Sequence, residues 1–281
     1  MKGILGVDLS EYQRGIDFDR LVQEGAEFVI LRGGDGSYSD QCFGEFYDQA
    51  KARNLPVGAY WFSRAVTEAQ AEEEAMRFYK TCLRGRQFEL PVDMDVEAKA
   101  QQNLSRDSLT RIIQVWCDTL RKIGFYTGLY TSTSWIAGEV FFDRLEGIEL
   151  WIAQWSTSEP KMDFGVWQFG GEVNYLRNRY MAGMIVDQNE MRKDYPTLIK
   201  ALGLNGYRKG EIDMTREEVI ALIDERINVI LEGKNSVASQ WAKEELAEAV
   251  EAGITDGTRP QGYARREEVA VMALRAVNNL Y

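Results

Sequence analysis

The chain has 281 residues, 45% of them hydrophobic and 27% charged, which fits a folded globular protein and excludes disorder or a collagen-like repeat. A net charge of −11 with no dense Lys/Arg stripe makes a poor partner for a phosphate backbone, so no nucleic acid is expected. There are no histidines, which excludes Ser-His-Asp and Cys-His nucleophile systems, His-ligated metals and imidazole acid–base chemistry; proton transfer must rest on carboxylates, Lys, Tyr or Cys.

The N-terminal apolar run, Gly3 to Val7, is interrupted by Asp8. It is too short for a signal-peptide core and reads as a first strand, Ile4–Leu9. Short β-rich runs recur at 28–32, 56–62, 90–96, 126–130, 150–155, 166–169 and 184–187. Amphipathic helical patterns lie between the early ones, at 17–24, 40–53, 67–83 and 105–123. Strands alternating with helices imply parallel pairing, and eight of them imply a (β/α)8-type barrel. Too few residues separate Trp155 from Val166 for a crossover helix, so the barrel is expected to be irregular late in the chain. Cys42, Cys82 and Cys117 form no CxxC pattern and read as reduced core thiols. No apolar run approaches the roughly 18 residues of a membrane span.

Aromatic residues thin out after about residue 206: of the 32 in the chain, only Tyr207, Trp241, Tyr263 and Tyr281 follow it. The Gly-rich, polar stretch 203–210 marks a linker region. The expected domains are therefore a barrel over 1–205, a linker over 206–214, and a small all-α module over 215–281. In that module Thr215-Arg-Glu-Glu218 has the form of a capping box opening a helix toward Leu231. A second helix is expected over 241–251, stopping at Gly253, and a third opens at Arg265.

Several strands end in carboxylates: Asp8 in the first, Asp93, Asp95 and Glu97 in the fourth, and Asp187 in the eighth. Alternation puts residues 93, 95 and 97 on one face. The first and eighth strands of a closed barrel are neighbours, which should bring Asp8 beside Asp187. Such crowding raises at least one pKa and sets a protonated acid beside ionised ones, as glycoside hydrolysis requires. Alternatively, Asp-x-Asp-x-Glu is a hard-cation site, and single strand-end acids are often only turn or cap residues, as expected of Asp17 and Asp19. The loop Gly33-Gly-Asp-Gly-Ser37 reads as a βα connection in preference to a phosphate cradle. Aromatics at the same strand ends, Tyr60-Trp61-Phe62, Tyr130, Trp151, Trp155 and Trp167, offer faces for stacking sugar rings. Gln154 and Gln168 offer amides to hydroxyl or acetamido groups, and Arg32 is either a partner for an acid in the mouth or structural.

Residues 1 to about 200 resemble the glycoside hydrolase family 25 lysozymes. The resemblance is carried by Gly6-Val-Asp-Leu-Ser10, Phe28-Val-Ile-Leu-Arg32, Val57-Gly-Ala-Tyr-Trp-Phe62 and Leu90-Pro-Val-Asp-Met-Asp-Val-Glu97. It continues through Gly128-Leu-Tyr-Thr-Ser132, Trp151-Ile-Ala-Gln-Trp155, Val166-Trp-Gln-Phe169 and Val186-Asp-Gln-Asn189. It implies a muramidase that cleaves the β-1,4 bond between N-acetylmuramic acid and N-acetylglucosamine without metal or cofactor. Glu97 would be the general acid, Asp95 its partner, and Asp8 and Asp187 the remaining carboxylates. Tyr60, Trp61, Tyr130, Gln154, Trp167, Arg32 and Asp93 would contact substrate. Trp61 stands where the family often has His. Asp93 replaces a usual apolar residue and gives a partial likeness to the Asp-x-x-Asp-x-Asp-x-Glu motif of family 18 chitinases, although Leu90 occupies its first position. A chitinase-like glycosidase and a non-catalytic wall-binding protein are the rival readings. The tail resembles a single surface-layer-homology repeat, which implies binding to secondary wall polymers. The rival is an oligomerising or stabilising appendage using Val219, Ile223, Ile227 and Ile230. The family resemblance implies a phage-type endolysin acting on bacterial peptidoglycan; the reading without a signal peptide implies synthesis in the host cytoplasm and release through a separate membrane-permeabilising protein.

Overall fold

The apolar runs form eight main strands and two short accessory pairings in the computed structural model, which describes residues 3–209 and 243–255. The strands are β1 (Ile4–Leu9), β2 (Phe28–Asp35), β3 (Tyr38–Ser39), β4 (Val57–Phe62), β5 (Val92–Asp95), β6 (Thr127–Ser132), β7 (Glu149–Ala153), β8 (Val166–Gly170), β9 (Tyr180–Met181), β10 (Met184–Ile185) and β11 (Asp187–Met191). The helices are α1 (Phe18–Gln23), α2 (Phe43–Ala52), α3 (Glu68–Phe78), α4 (Arg106–Arg121), α5 (Thr133–Gly138), α6 (Tyr195–Leu202) and α7 (Lys243–Glu251). The chain divides into two compact units, Met1–Ile212 and Asp213–Tyr281.

In the first unit, β1, β2, β4, β5, β6, β7, β8 and β11 follow one another around a closed barrel, and β11 pairs back onto β1. All neighbours from β1 to β8 are parallel. The last strand is not: β11 runs antiparallel to both β8 and β1. The expected eighth strand at 184–187 is therefore displaced, with Met184 and Ile185 in a small ribbon with β9 and Asp187 opening β11 instead of closing a parallel strand. The physical reason is the connection. An antiparallel return needs no crossover helix, and no helix lies between β8 and β11 among the described residues.

Helix starts follow local chemistry. Asp17 accepts hydrogen bonds from the backbone N–H groups of Asp19 and Arg20, while Thr67 and Ser105 cap α3 and α4 through Gln70 and Ser108. Along α4, Leu109, Ile112, Ile113, Trp116, Cys117 and Leu120 are buried in one stripe. They share one core cluster with Val92 and Met94 of β5, Val96 just after it, and Leu129 of β6. Each such side chain contributes about 1.5–3 kcal/mol on burial. The three cysteines are buried and unpaired, as expected of core thiols.

Inside the barrel a second cluster, including Phe28, Ile30, Leu90, Trp151, Val166 and Met191, is closed from below by Tyr195 and Ile199 of α6. The stretch expected as linker begins within this floor. Asn205 is fully buried, donates to the Leu90 carbonyl at 2.8 Å and accepts from the Tyr126 N–H at 2.7 Å, and the Tyr207 hydroxyl donates to Glu89. In the second unit, α7 coincides with the expected second helix, and Gly253 follows it at φ 68°, the left-handed conformation that ends helices. The expected capping box at Thr215–Glu218 and the segment from Arg265 lie outside the described residues.

Candidate active site

Alternation along β5 puts Val92 and Met94 into the helix layer and turns Asp93 and Asp95 into the barrel. Glu97 lies just past the strand. Its segment is pinned on both sides: the Val96 N–H donates to the Tyr130 carbonyl at 2.9 Å, and the Ala98 N–H donates to the Gln101 side chain at 3.1 Å. Asp8 on β1 and Asp187 on β11 are direct register partners. Because β11 is reversed, its first residue lies at the end where the parallel strands finish. All four expected acids, Asp8, Asp95, Glu97 and Asp187, line one cleft of about 310 Å³ at that mouth, together with Tyr60, Tyr130 and Trp151. This is the face where barrels of parallel strands carry their sites.

Asp8 is 6% exposed and its Oδ2 accepts from the Gln168 amide at 2.9 Å and the Asn189 amide at 2.8 Å. Burial pushes its carboxyl up to about 6 against the opposing pull of those two amides. Asp187 is pushed higher, to about 8, by burial first and then by the charges of Asp8, Glu97 and Glu172. Asp95, 3% exposed, is held well above the usual carboxylate range by burial and then by Glu97 and Asp8, and its Oδ1 has no hydrogen-bond partner among the described residues. Glu97 stands at the open rim, and its pKa is raised by the cleft wall and then by Asp8. The mouth therefore contains protonated and ionised carboxyls side by side, the division of labour that acid-catalysed cleavage of an acetal needs. Among the described residues, no group of three or more Asp, Glu or Cys side chains is arranged to hold a metal ion.

Of the expected ligand contacts, Tyr60 and Tyr130 line the cleft. Arg32 also lines it, but its guanidinium is taken by Asp40 at 2.9 Å and Glu11 at 3.0 Å. Three of the expected aromatic or amide contacts and one acid do not line this cleft. Trp61 is fully buried in the outer core, 5.4 Å from the Phe78 ring, because it alternates with Tyr60 and Phe62 and so faces the helices. Trp167 likewise turns outward, against Phe169 at 5.7 Å, while its neighbour Gln168 points inward. Gln154 lies past β7, where its amide bonds Ser156 at 3.1 Å and the Ser158 carbonyl at 2.7 Å. Asp93 faces the lumen but two residues deeper than Asp95; at 2% exposed it does not border the cleft, and burial followed by the charge of Glu149 raises its pKa strongly. Gly128 makes room for it, since a Cβ there would lie 2.0 Å from Asp93 Oδ1.

The cleft also contains residues that spacing did not single out as site residues: Ser10, Tyr12 and Gln13 after β1, Asp35 at the end of β2, and Arg64 after β4. Arg64 is bridged to Asp35 at 2.6 Å and lies 4.6 Å over the Phe62 ring. Phe62, one of the expected strand-end aromatics, also lines the cleft, and the alternation rule separates it and Tyr60 from Trp61. Nothing local marks Tyr12 or Arg64, which reach the mouth only through loop geometry.

The family model for glycosyl hydrolases family 25 matches residues 7–176. An autolytic lysozyme of Clostridium acetobutylicum is 28% identical over 159 residues, covering 56% of this chain and 47% of that protein, so the chain spans about half the length of that relative. An N,O-diacetylmuramidase of Arthroderma benhamiae is 26% identical over 174 residues, covering 59% of this chain and 74% of that protein. Among solved structures, the bacterial lysozyme of Streptomyces coelicolor superposes with a TM-score of 0.61 at 21% identity, over 73% of this chain and 99% of that one. The CTP1L endolysin gives a TM-score of 0.61 at 17% identity, over 100% and 99% of the two chains. These likenesses share the barrel. With the family model matching more than half its length and spanning Asp8, Asp95 and Glu97, the chain belongs to family 25 of the glycosyl hydrolases.

Proposed function

We propose that the barrel is a peptidoglycan muramidase that hydrolyses the β-1,4 bond between N-acetylmuramic acid and N-acetylglucosamine. The observation that carries the reading is the mouth itself: Glu97, with a raised pKa and open to solvent at the rim, stands beside the buried acids Asp95 and Asp8 and the half-buried Asp187. Glu97 is the general acid that protonates the leaving glycosidic oxygen. Asp95 beneath it and the Asp8–Asp187 pair opposite hold the proton balance and stabilise the positive charge that develops on the sugar. Tyr60, Tyr130 and Trp151 form the apolar wall for the ring. The names of the relatives, a lysozyme and an N,O-diacetylmuramidase, support the same substrate class. The finer reading is an endolysin that acts at the bacterial wall, with the residues after the barrel serving wall attachment.

Reducing-end analysis of digested peptidoglycan tests the reaction. New muramic acid ends are expected; new glucosamine ends, or no cleavage by folded protein, would sink the reading. Glu97→Gln keeps the shape and removes only the proton, so turnover should fall by about 10²–10⁴-fold with the fold intact. Retention of more than about a tenth of the rate would remove Glu97 from the role of acid.

A further inference from the structure

Asp8 and Asp187 face each other across one register step, yet their surroundings are not equivalent. Gln168 and Asn189 are themselves cross-strand partners on β8 and β11, and both turn into the barrel, where each gives an amide N–H to the same Oδ2 of Asp8. The orientation of both amides is set by other donors. Trp151 Nε1 donates to Asn189 Oδ1 at 2.8 Å, which obliges the Asn189 nitrogen to point at Asp8. The Tyr130 hydroxyl and Trp155 Nε1 both donate to Gln168 Oε1, each at 3.0 Å, and fix the other amide in the same sense. Gln168 is 2% exposed and Asn189 fully buried, so neither amide rotates into water. Only donors reach this oxygen of Asp8. No amide or cationic donor is seen on the Asp187 carboxyl among the described residues.

We infer that Gln168 and Asn189 are positioning residues that make Asp8 the member of the pair that ionises first and so leave the shared proton on Asp187. The mouth then offers a substrate two different groups: a fixed carboxylate from β1, and from β11 a carboxylic acid able to donate a hydrogen bond. The raised values of the two carboxyls agree with this order, Asp187 lying above Asp8. The other titratable and charged groups facing the pair are Arg32, Tyr60, Asp95, Glu97 and Tyr130 around the barrel and Glu172 after β8. None of them donates a hydrogen bond to either carboxyl, and the charges of Glu97 and Glu172 raise Asp187, in the same sense as the amides on Asp8.

The inference bears on turnover only if the mouth is the catalytic site, so its test reads the carboxyls directly. Full-length protein labelled with ¹³C at the Asp carboxyl carbons is titrated by NMR, with Asp8 and Asp187 assigned from Asp8→Asn and Asp187→Asn. Asp8 should titrate below Asp187 in the unaltered protein. In Gln168→Met and Asn189→Leu, each close in shape but without the amide, the Asp8 midpoint should rise by about one pH unit, the size expected when a hydrogen bond to a charged group is lost. Trp155→Phe keeps a ring at the rim and removes only one donor to Gln168; it should shift the midpoint the same way by less, and it decides the matter if the two amide variants do not fold. Asp187 titrating first, or an Asp8 midpoint unmoved in the folded variants, overturns the inference. A protein with the expected titration order but no peptidoglycan cleavage would instead count against the muramidase reading.

Discussion

Replacing Asp187 by Asn should stabilise the protein, and the gain should depend on pH. In the unfolded chain this carboxyl titrates near 3.9, whereas in the barrel mouth it titrates at about 8. Below pH 4 it is protonated in both states, and Asn, which resembles the neutral acid, changes little. As pH rises from about 4 to 8 the unfolded chain releases a proton that the folded one keeps, so the unfolded state binds fewer protons and stability falls. Above 8 both states are ionised and the penalty levels off. At roughly 1.36 kcal/mol per pH unit, the full difference corresponds to about 6 kcal/mol. Asp187 shares its repulsion with Asp8 and is partly open to solvent, so we expect Asn to recover about 2–3 kcal/mol of it at pH 9. Urea unfolding of both proteins at pH 3.5, 6 and 9 measures this. A gain that is the same at all three values, or missing at pH 9, would refute the assignment of a half-buried, proton-retaining acid at this position.

Trp61→Ala empties a fully buried site beside Phe78 and should cost about 3–5 kcal/mol; KM for soluble glycan, measured on folded protein, should not change, because the ring faces the helices. Treatment with EDTA should leave turnover unchanged, since the mouth acids are not grouped as ligands; loss on chelation with rescue by an added cation would restore the hard-cation reading. A chain ending after Lys209 retains the buried Asn205 and the Tyr207 contact and should keep activity on soluble glycan fragments. The same truncation should lower activity on intact walls, because a tethered second site raises the effective concentration of the glycan. Equal activity on walls, with no binding of the isolated residues 210–281 to purified walls, would leave the tail without that role.

Much of the site was legible because strand chemistry is periodic. Two-residue alternation alone put Asp93 and Asp95 on one face of β5, and apolar runs at 4–9, 28–32 and 56–62 became strands nearly where they were expected. The same rule separates Tyr60 from Trp61 and Gln168 from Trp167, so the two misplaced tryptophans follow from reading aromatic residues by type instead of by face. Three things depended on closure of the barrel. The direction of β11 decides that Asp187 sits at the mouth, and a strand's direction is set by its connection and its neighbours, not by its own residues. The depth of Asp93 is set by register against β6, where Gly128 admits it. The difference between Asp8 and Asp187 depends on the charges of Glu97 and Glu172 near Asp187 and on the amides of Gln168 and Asn189, which are 160 and 181 residues from Asp8 in the chain. Composition and spacing report what a segment can do by itself; which carboxyl keeps its proton is decided by donors and charges that only the closed sheet brings within hydrogen-bond reach.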